Sequence, residues 1–421
     1  VTTTEASEQD LAPAPPVRRD VVVVGAGPAG TAAAIELARA GVDVTVVDRA
    51  VFPRDKICGD GLTTGALRHL EHLGLDPASV GSWQEVTNCW ISSPSGTTRR
   101  FPLPRGQGTF AVVARRIDLD EALVDLARSA GAELREDTSV LDTIEFDDHV
   151  RVETSRGPID ARWCIAADGM WSPVRKHLGL TVPGYRGDWH AFRQYFTNVA
   201  PAAARDLFVR FESDLLPGYF WSFPLPDGRA NVGFGIQRGA KVAVGDMGPL
   251  WADLLSREWA QELLGPDAEP EGPHRAWPIP ARIDGLALCA HRTLFVGDAA
   301  AACDPLTGEG IGQALLTGRR AAEAIVTTSE RGDAARTYAA QVTSDLVADH
   351  RMSMLLVRAM RHRKGARTAI RLAGATPWTR RNFARWLFED YPRAIVLTPR
   401  RWHHRMLSSP GAFREPVVPV A

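Results

Sequence analysis

The chain has 421 residues, 45% of them hydrophobic and 24% charged, with a formal net charge of −1. That length exceeds one compact core and predicts two intimately joined domains, while the balanced charge offers no global argument for a nucleic-acid partner. Five widely separated cysteines, none in a CxxC pair, argue against a disulfide framework or a zinc site and for reduced thiols.

Residues 1–19 are polar, contain Pro13, Pro15 and Pro16, and lack apolar periodicity, so a flexible arm is expected there. The arm lacks the basic and apolar regions of a signal peptide, and no run of about 18 apolar residues follows it. A cytoplasmic protein is the expectation. Val21–Val24 is a continuous apolar run, as a buried parallel strand requires, and it leads into Gly25, Gly27 and Gly30 and an alanine-rich helix over 31–40. In a dinucleotide-binding turn the first glycine permits the tight turn, the second admits a pyrophosphate, and the third lets helix and strand pack closely. A further strand over 42–47 ends at Asp48, about 20 residues on, where an acid can bind a ribose hydroxyl.

Residues 52–61 form a predicted loop, followed by a helix through Leu67, Leu70 and Leu73. His69 and His72 share one face of it. Without a third ligand nearby they read as part of a solvated face rather than a metal site. Strands outside the nucleotide fold are expected near 89–91 and 110–113. A helix then opens at Arg116, with Leu119, Leu123, Leu126 and Ala127 on its apolar face, and closes at Gly131. Strands across 134–152 lead to the apolar run 163–167. Asp168, Gly169, Ser172 and Arg175 follow it as a turn and helix start at the edge of the same sheet. The aromatic-rich, strand-like stretch 185–277 predicts a separate antiparallel sheet, and the aromatics between Pro217 and Pro224 are a candidate pocket wall. A short strand over 294–296 precedes Gly297-Asp298, and Gly308 to Gly312 stand at the head of a long helix. Residues 352–406 combine apolar residues and many arginines at helical spacing. They predict a helical cap on the substrate domain, with peripheral membrane contact as the sharper alternative.

In this order, the glycine fingerprint, Asp168-Gly169 and Gly297-Asp298 resemble the flavoprotein monooxygenase superfamily of the p-hydroxybenzoate hydroxylase type. The resemblance implies bound FAD, with Gly25, Gly27, Gly30 and Asp48 at its adenosine half, Arg116 near the pyrophosphate and ribityl, and Asp298 with the 308–312 loop at the flavin. Ala29, Arg49, Lys56, Cys58, Gly59, Asp60, Asp168, Gly169, Gly297, Pro305, Gly308, Gly310 and Ile311 complete the implied cofactor set. The segments 52–61 (FPRDKICGDG) and 219–224 (YFWSFP) are in turn similar to signatures of the geranylgeranyl reductase family, whose members reduce isolated C=C bonds of isoprenoid chains with reduced FAD.

By that resemblance Cys58 lies beside the isoalloxazine, Cys58 and Asp60 are the candidate catalytic residues, and Tyr219, Trp221 and Phe223 bind substrate. NADPH or NADH is the expected electron donor, bound transiently, since no second glycine-rich site is evident. The alternatives are an FAD-dependent monooxygenase and a halogenase tailoring a secondary metabolite. Against the halogenase, Tyr219 and Phe223 replace the first tryptophan and the isoleucine of the pattern Trp-x-Trp-x-Ile-Pro.

The expected fold is α/β: a Rossmann-like FAD-binding domain (20–84, 115–182 and 281–345) interleaved with an antiparallel-sheet substrate domain (85–114 and 183–280). A basic C-terminal helical region (346–421) completes it. The expected partner is an apolar small molecule, with no metal, no nucleic acid and an undetermined oligomeric state.

Overall fold

The structure, a computed structural model, describes residues 16–328, 334–402 and 406–414. Its first sheet grows outward from the strand Val17–Val24, whose last four valines are buried on both faces. Parallel neighbours Val44–Val47 and Ile159–Ala166 flank it, with Glu133–Arg135 beyond the former. Thr293–Phe295 and the antiparallel pair Val150–Thr154 and Val140–Glu145 extend the other side. The helix Pro28–Arg39 lies between this sheet and the long helix Ile311–Thr327. Its face is nearly all alanine, which allows the close approach.

The second sheet runs in the order Glu269–Ile279, Trp189–Thr197, Arg229–Gln237, Tyr219–Leu225, Leu207–Arg210, Asn88–Ser92 and Thr98–Pro102. All pairs are antiparallel except Leu207–Arg210 with Asn88–Ser92. A small sheet of Gly61–Leu62, Val112–Val113 and Gln84–Glu85 joins the two. Along Tyr219–Leu225 the side chains alternate, as a strand requires. Tyr219, Trp221 and Phe223 face one side, while Phe220 packs on the other beneath Trp251 and Trp259.

Three expectations need correction. Of the predicted arm, residues 1–15 lie outside the described residues, and Val17–Arg19 already belong to the first strand, where Arg19 pairs with Glu133 at 2.6 Å. The strand expected near 110–113 is Val112–Val113 of the small sheet, outside the nucleotide sheet. The region 185–277 is not all strand, since Met247–Ser256 and Glu258–Leu264 are helices that cover the outer face of the large sheet. Met247, Trp251 and Leu254 supply a helical apolar face that the surrounding aromatics obscured. Finally, His69 is not on a solvated surface: its Nδ1 lies 2.8 Å from Arg319 of the long helix, while His72 meets Glu36 at 2.9 Å.

Beyond the long helix, the C-terminal region forms the helices Ala348–Met360, Arg363–Ala373 and Pro377–Leu387. They dock on the second sheet, with the rings of Phe383 and Phe101 5.1 Å apart. Among the described residues no helix is long and apolar enough to cross a membrane.

Candidate active site

A cavity of about 1060 Å³ runs from the glycine turn after the first strand, past the loop 54–63, to the aromatic strand and the C-terminal helices. At its first end Gly25 takes φ +102°, and a Cβ on Gly30 would stand 1.8 Å from the Gly25 carbonyl. The third glycine is therefore a packing requirement and does not line the cavity. Gly27 is the N-cap of Pro28–Arg39 and supplies no side-chain cap, so the first-turn amides stay open to an anion. Arg54 and Arg116 stand over it, with guanidinium nitrogens 3.7 and 4.0 Å from where its Cβ would be. Both share Asp120, which is fully buried and held by Arg116 in two hydrogen bonds of 2.7 Å. Burial alone would lower the affinity of Arg116 for its proton, but the charge and hydrogen bonds of Asp120 outweigh it.

Asp48 accepts the Ala26 and Ala50 N–H groups, both at 2.8 Å, which fixes its carboxylate at the cavity edge beside Arg49. Asp168 accepts the Val174 N–H at 3.0 Å and leaves Oδ1 buried without a partner. Burial raises its pKa to about 6. Ala29, Gly169, Gly297, Asp298, Gly308, Gly310 and Ile311 also line the cavity. Pro305 is buried behind it and does not. An anion cradle with two guanidiniums, an acid at the second strand and an unsatisfied buried carboxyl oxygen together fit a dinucleotide such as FAD.

The loop 58–61 lies against the aromatic strand: a Cβ on Gly59 would be 3.6 Å from Phe223 and 3.8 Å from Trp221. Asp60, at φ +64°, points its carboxyl inward, where Oδ2 accepts hydrogen bonds from Tyr195 (2.7 Å) and Asn231 (2.8 Å). Asn231 also donates to the Cys58 carbonyl and accepts from the Trp221 indole. Burial pushes the Asp60 carboxyl up to about 6 and holds the Cys58 thiol above its usual range, so it keeps its proton. Lys56, its own affinity for a proton lowered by burial, sits 3.9 Å above the Trp277 ring.

Tyr219, Trp221 and Phe223 form one aromatic wall at centroid spacings of 6.2 and 6.1 Å. Leu356, Met360, Ile370, Phe383 and Trp386 of the C-terminal helices complete it.

The structure thus gathers Cys58, Asp60, the aromatic strand and most of the predicted cofactor residues around one cavity. Sequence reasoning missed Arg54, Asp120, Tyr195, Asn231 and the C-terminal wall. The Arg116/Asp120 spacing of four on a helix was the available signal for one of these. The others come from elements distant in the chain.

An FAD binding domain family model matches residues 18–216. A menaquinone reductase of Mycolicibacterium smegmatis is 37% identical over 331 residues, covering 73% of this chain and 76% of that protein. A digeranylgeranylglycerophospholipid reductase of Methanopyrus kandleri is 33% identical over 338 residues, covering 76% and 80% respectively. Among solved structures, a geranylgeranyl bacteriochlorophyll reductase-like protein from Thermoplasma acidophilum superposes with a TM-score of 0.77 at 21% identity, covering 92% of this chain and 100% of that one. A flavin-dependent halogenase superposes with a TM-score of 0.68 at 24% identity, covering 82% and 64%; at these identities the likeness is one of fold.

Proposed function

Because the chain belongs to the geranylgeranyl reductase family of FAD-dependent oxidoreductases, we propose that it saturates C=C bonds of an isoprenoid-like chain lying along the aromatic wall. The observation that carries this reading is the continuity of the cavity. An anion cradle at one end opens without interruption onto Trp221, Phe223, Met360, Ile370 and Phe383 at the other. Each CH₂ buried there contributes roughly 0.8 kcal/mol, so an unfunctionalised chain binds adequately without polar handles. The relatives named above are reductases of a quinone and of a digeranylgeranyl lipid, which fits such an occupant.

When bound and reduced, FAD would supply hydride. The protein's part is to hold the cofactor's phosphates against Gly27, Arg54 and Arg116, to keep the alkene in register, and to exclude water. A proton must also reach the second carbon. The neutral thiol of Cys58 is the proposed donor, with Asp60 and Asn231 fixing its loop from beneath. NADPH or NADH is the proposed reductant of the flavin. The basic C-terminal helices are proposed to rest on an anionic membrane surface.

Anaerobic single turnover tests the reading. Reduced enzyme mixed with a polyprenyl substrate should be reoxidised with formation of the saturated product. Cys58→Ser should slow that step about 100-fold with FAD retained. Product formed only with stoichiometric oxygen consumption would replace this reading with a monooxygenase.

A further inference from the structure

A second cavity, of about 310 Å³, lies behind the flavin-side loop, lined by polar groups including Asp304, Gln313, His350, Glu389 and Arg393. Nothing in the proposed reaction uses it. Cys303 lines both this cavity and the redox cavity, and one glutamate stands on either side. Glu309 lines the redox cavity and accepts the Gly312 N–H at 2.7 Å. Glu389 lines the second cavity and accepts hydrogen bonds from Gln313 (3.0 Å) and Thr63 (3.3 Å).

Charge counting says what these carboxyls hold. Asp304, beside them, accepts the N–H groups of Leu306 and Thr307 and the hydroxyls of Thr307 and Ser353. Among the described residues, Arg393 is the only cation paired with any of the three, at 3.8 Å from Asp304 and 3.4 Å from Glu389. One positive charge thus faces two buried carboxyls, Asp304 and Glu309, and the partly buried Glu389. Two isolated anions at this depth would cost far more than retaining a proton. Of the other titratable groups near the pair, Asp349, Cys58, Cys303 and Tyr219 carry no positive charge. Of the basic residues lining the second cavity, Arg320 pairs with Asp345 and Arg401 with Asp349, and burial lowers the proton affinity of His69 and His350. In agreement, burial raises both glutamates, and each is raised further by a neighbouring carboxylate.

We propose that Glu309 and Glu389 form a proton inlet that carries protons from the polar second cavity into the redox cavity. The proposal rests on the reductase reading for its consumer. Saturating one C=C takes a hydride from the reduced flavin and one proton, which forms the second C–H bond. That proton leaves Glu309, directly or by way of Cys58, and the carboxylate is refilled from Glu389 and then from water. Neither glutamate changes oxidation state.

The test compares the wild-type holoenzyme with Glu309→Gln and Glu389→Gln, which keep size and most hydrogen bonds. At neutral pH the wild type should show a deuteration-sensitive infrared band of a protonated carboxylic acid that both variants lose. Anaerobic turnover should slow on the order of tenfold or more in each variant. The wild-type decline in rate with rising pH, as the pair loses its proton, should flatten. FAD content, read by absorbance, should not change. Absence of the band in the wild type would overturn the inlet, as would variants that keep both its rate and its pH profile. If the wild type reduces no alkene, the reductase reading fails by itself. The inlet is then judged by the infrared band and by proton uptake on flavin reduction, which both variants should delay.

Discussion

Asp60 anchors the loop 58–61 at a cost. Its carboxyl is fully buried, accepts from Tyr195 and Asn231 through one oxygen and leaves the other without a partner. With its pKa raised from 3.8 to about 6, the native state binds the Asp60 proton more tightly than the unfolded chain does. The resulting stabilisation is complete below about pH 4 and is lost as pH rises through about 6. Asp60→Asn cannot titrate, yet its amide oxygen can accept the same two hydrogen bonds. Urea unfolding of both proteins from pH 4 to 7 should therefore find the wild type losing on the order of 3 kcal/mol relative to the variant. A gap that does not change with pH would mean the carboxyl is ionised throughout.

The same logic applies to the helix Arg116–Ser129, which presents its first turn to the cofactor end. Asp120 is its buried hub, with Arg116 one turn back and Arg54 reaching across from the loop at 3.1 Å. Asp120→Asn leaves two guanidiniums near each other with their shared anion gone. The cofactor-free protein should lose about 3–5 kcal/mol of stability, and added FAD should recover part of it, because its phosphates supply negative charge at the same guanidiniums. Thermal melts with and without FAD measure both effects. At this scale the limits of sequence reading have physical causes. The strand of four valines, the glycine turn and Asp48 were legible because local pattern and local structure coincide there. The helices Met247–Ser256 and Glu258–Leu264 were not, because Trp251 and Trp259 serve a sheet face, and aromatic enrichment resembles strand composition. Asp60 and Cys58 were candidates through the loop that carries them, whereas Tyr195 and Asn231, which hold that loop, sit on strands more than 130 residues away. Register across a sheet, not spacing along the chain, brings them there.

At the scale of the whole molecule, three separate parts of the chain enclose one cavity, and the C-terminal helices are both its wall and an outer surface. Leu356, Met360, Ile370 and Phe383 face inward. Leu355, Leu372 and Trp378 remain 59%, 61% and 61% exposed on the same helices, among Arg358, Arg363, Arg367, Arg371, Arg380 and Arg381. A monomer in water gains nothing from that outer apolar set. At an anionic bilayer the leucines and tryptophan would enter the interface while each nearby arginine adds about 1 kcal/mol of attraction. A combined Leu355→Ser, Leu372→Ser and Trp378→Ser variant separates this role from packing, since none of the three lines the cavity. It should lose flotation with anionic vesicles at low salt, and its rate should fall about tenfold on substrate presented in those vesicles. Its rate on the same substrate in detergent, where no bilayer need be engaged, should match the wild type. Equal losses in both media would assign these side chains to folding of the wall instead. Unchanged flotation would leave the arginines alone responsible, and binding should then vanish as salt shortens the screening length to about 3 Å near 1 M.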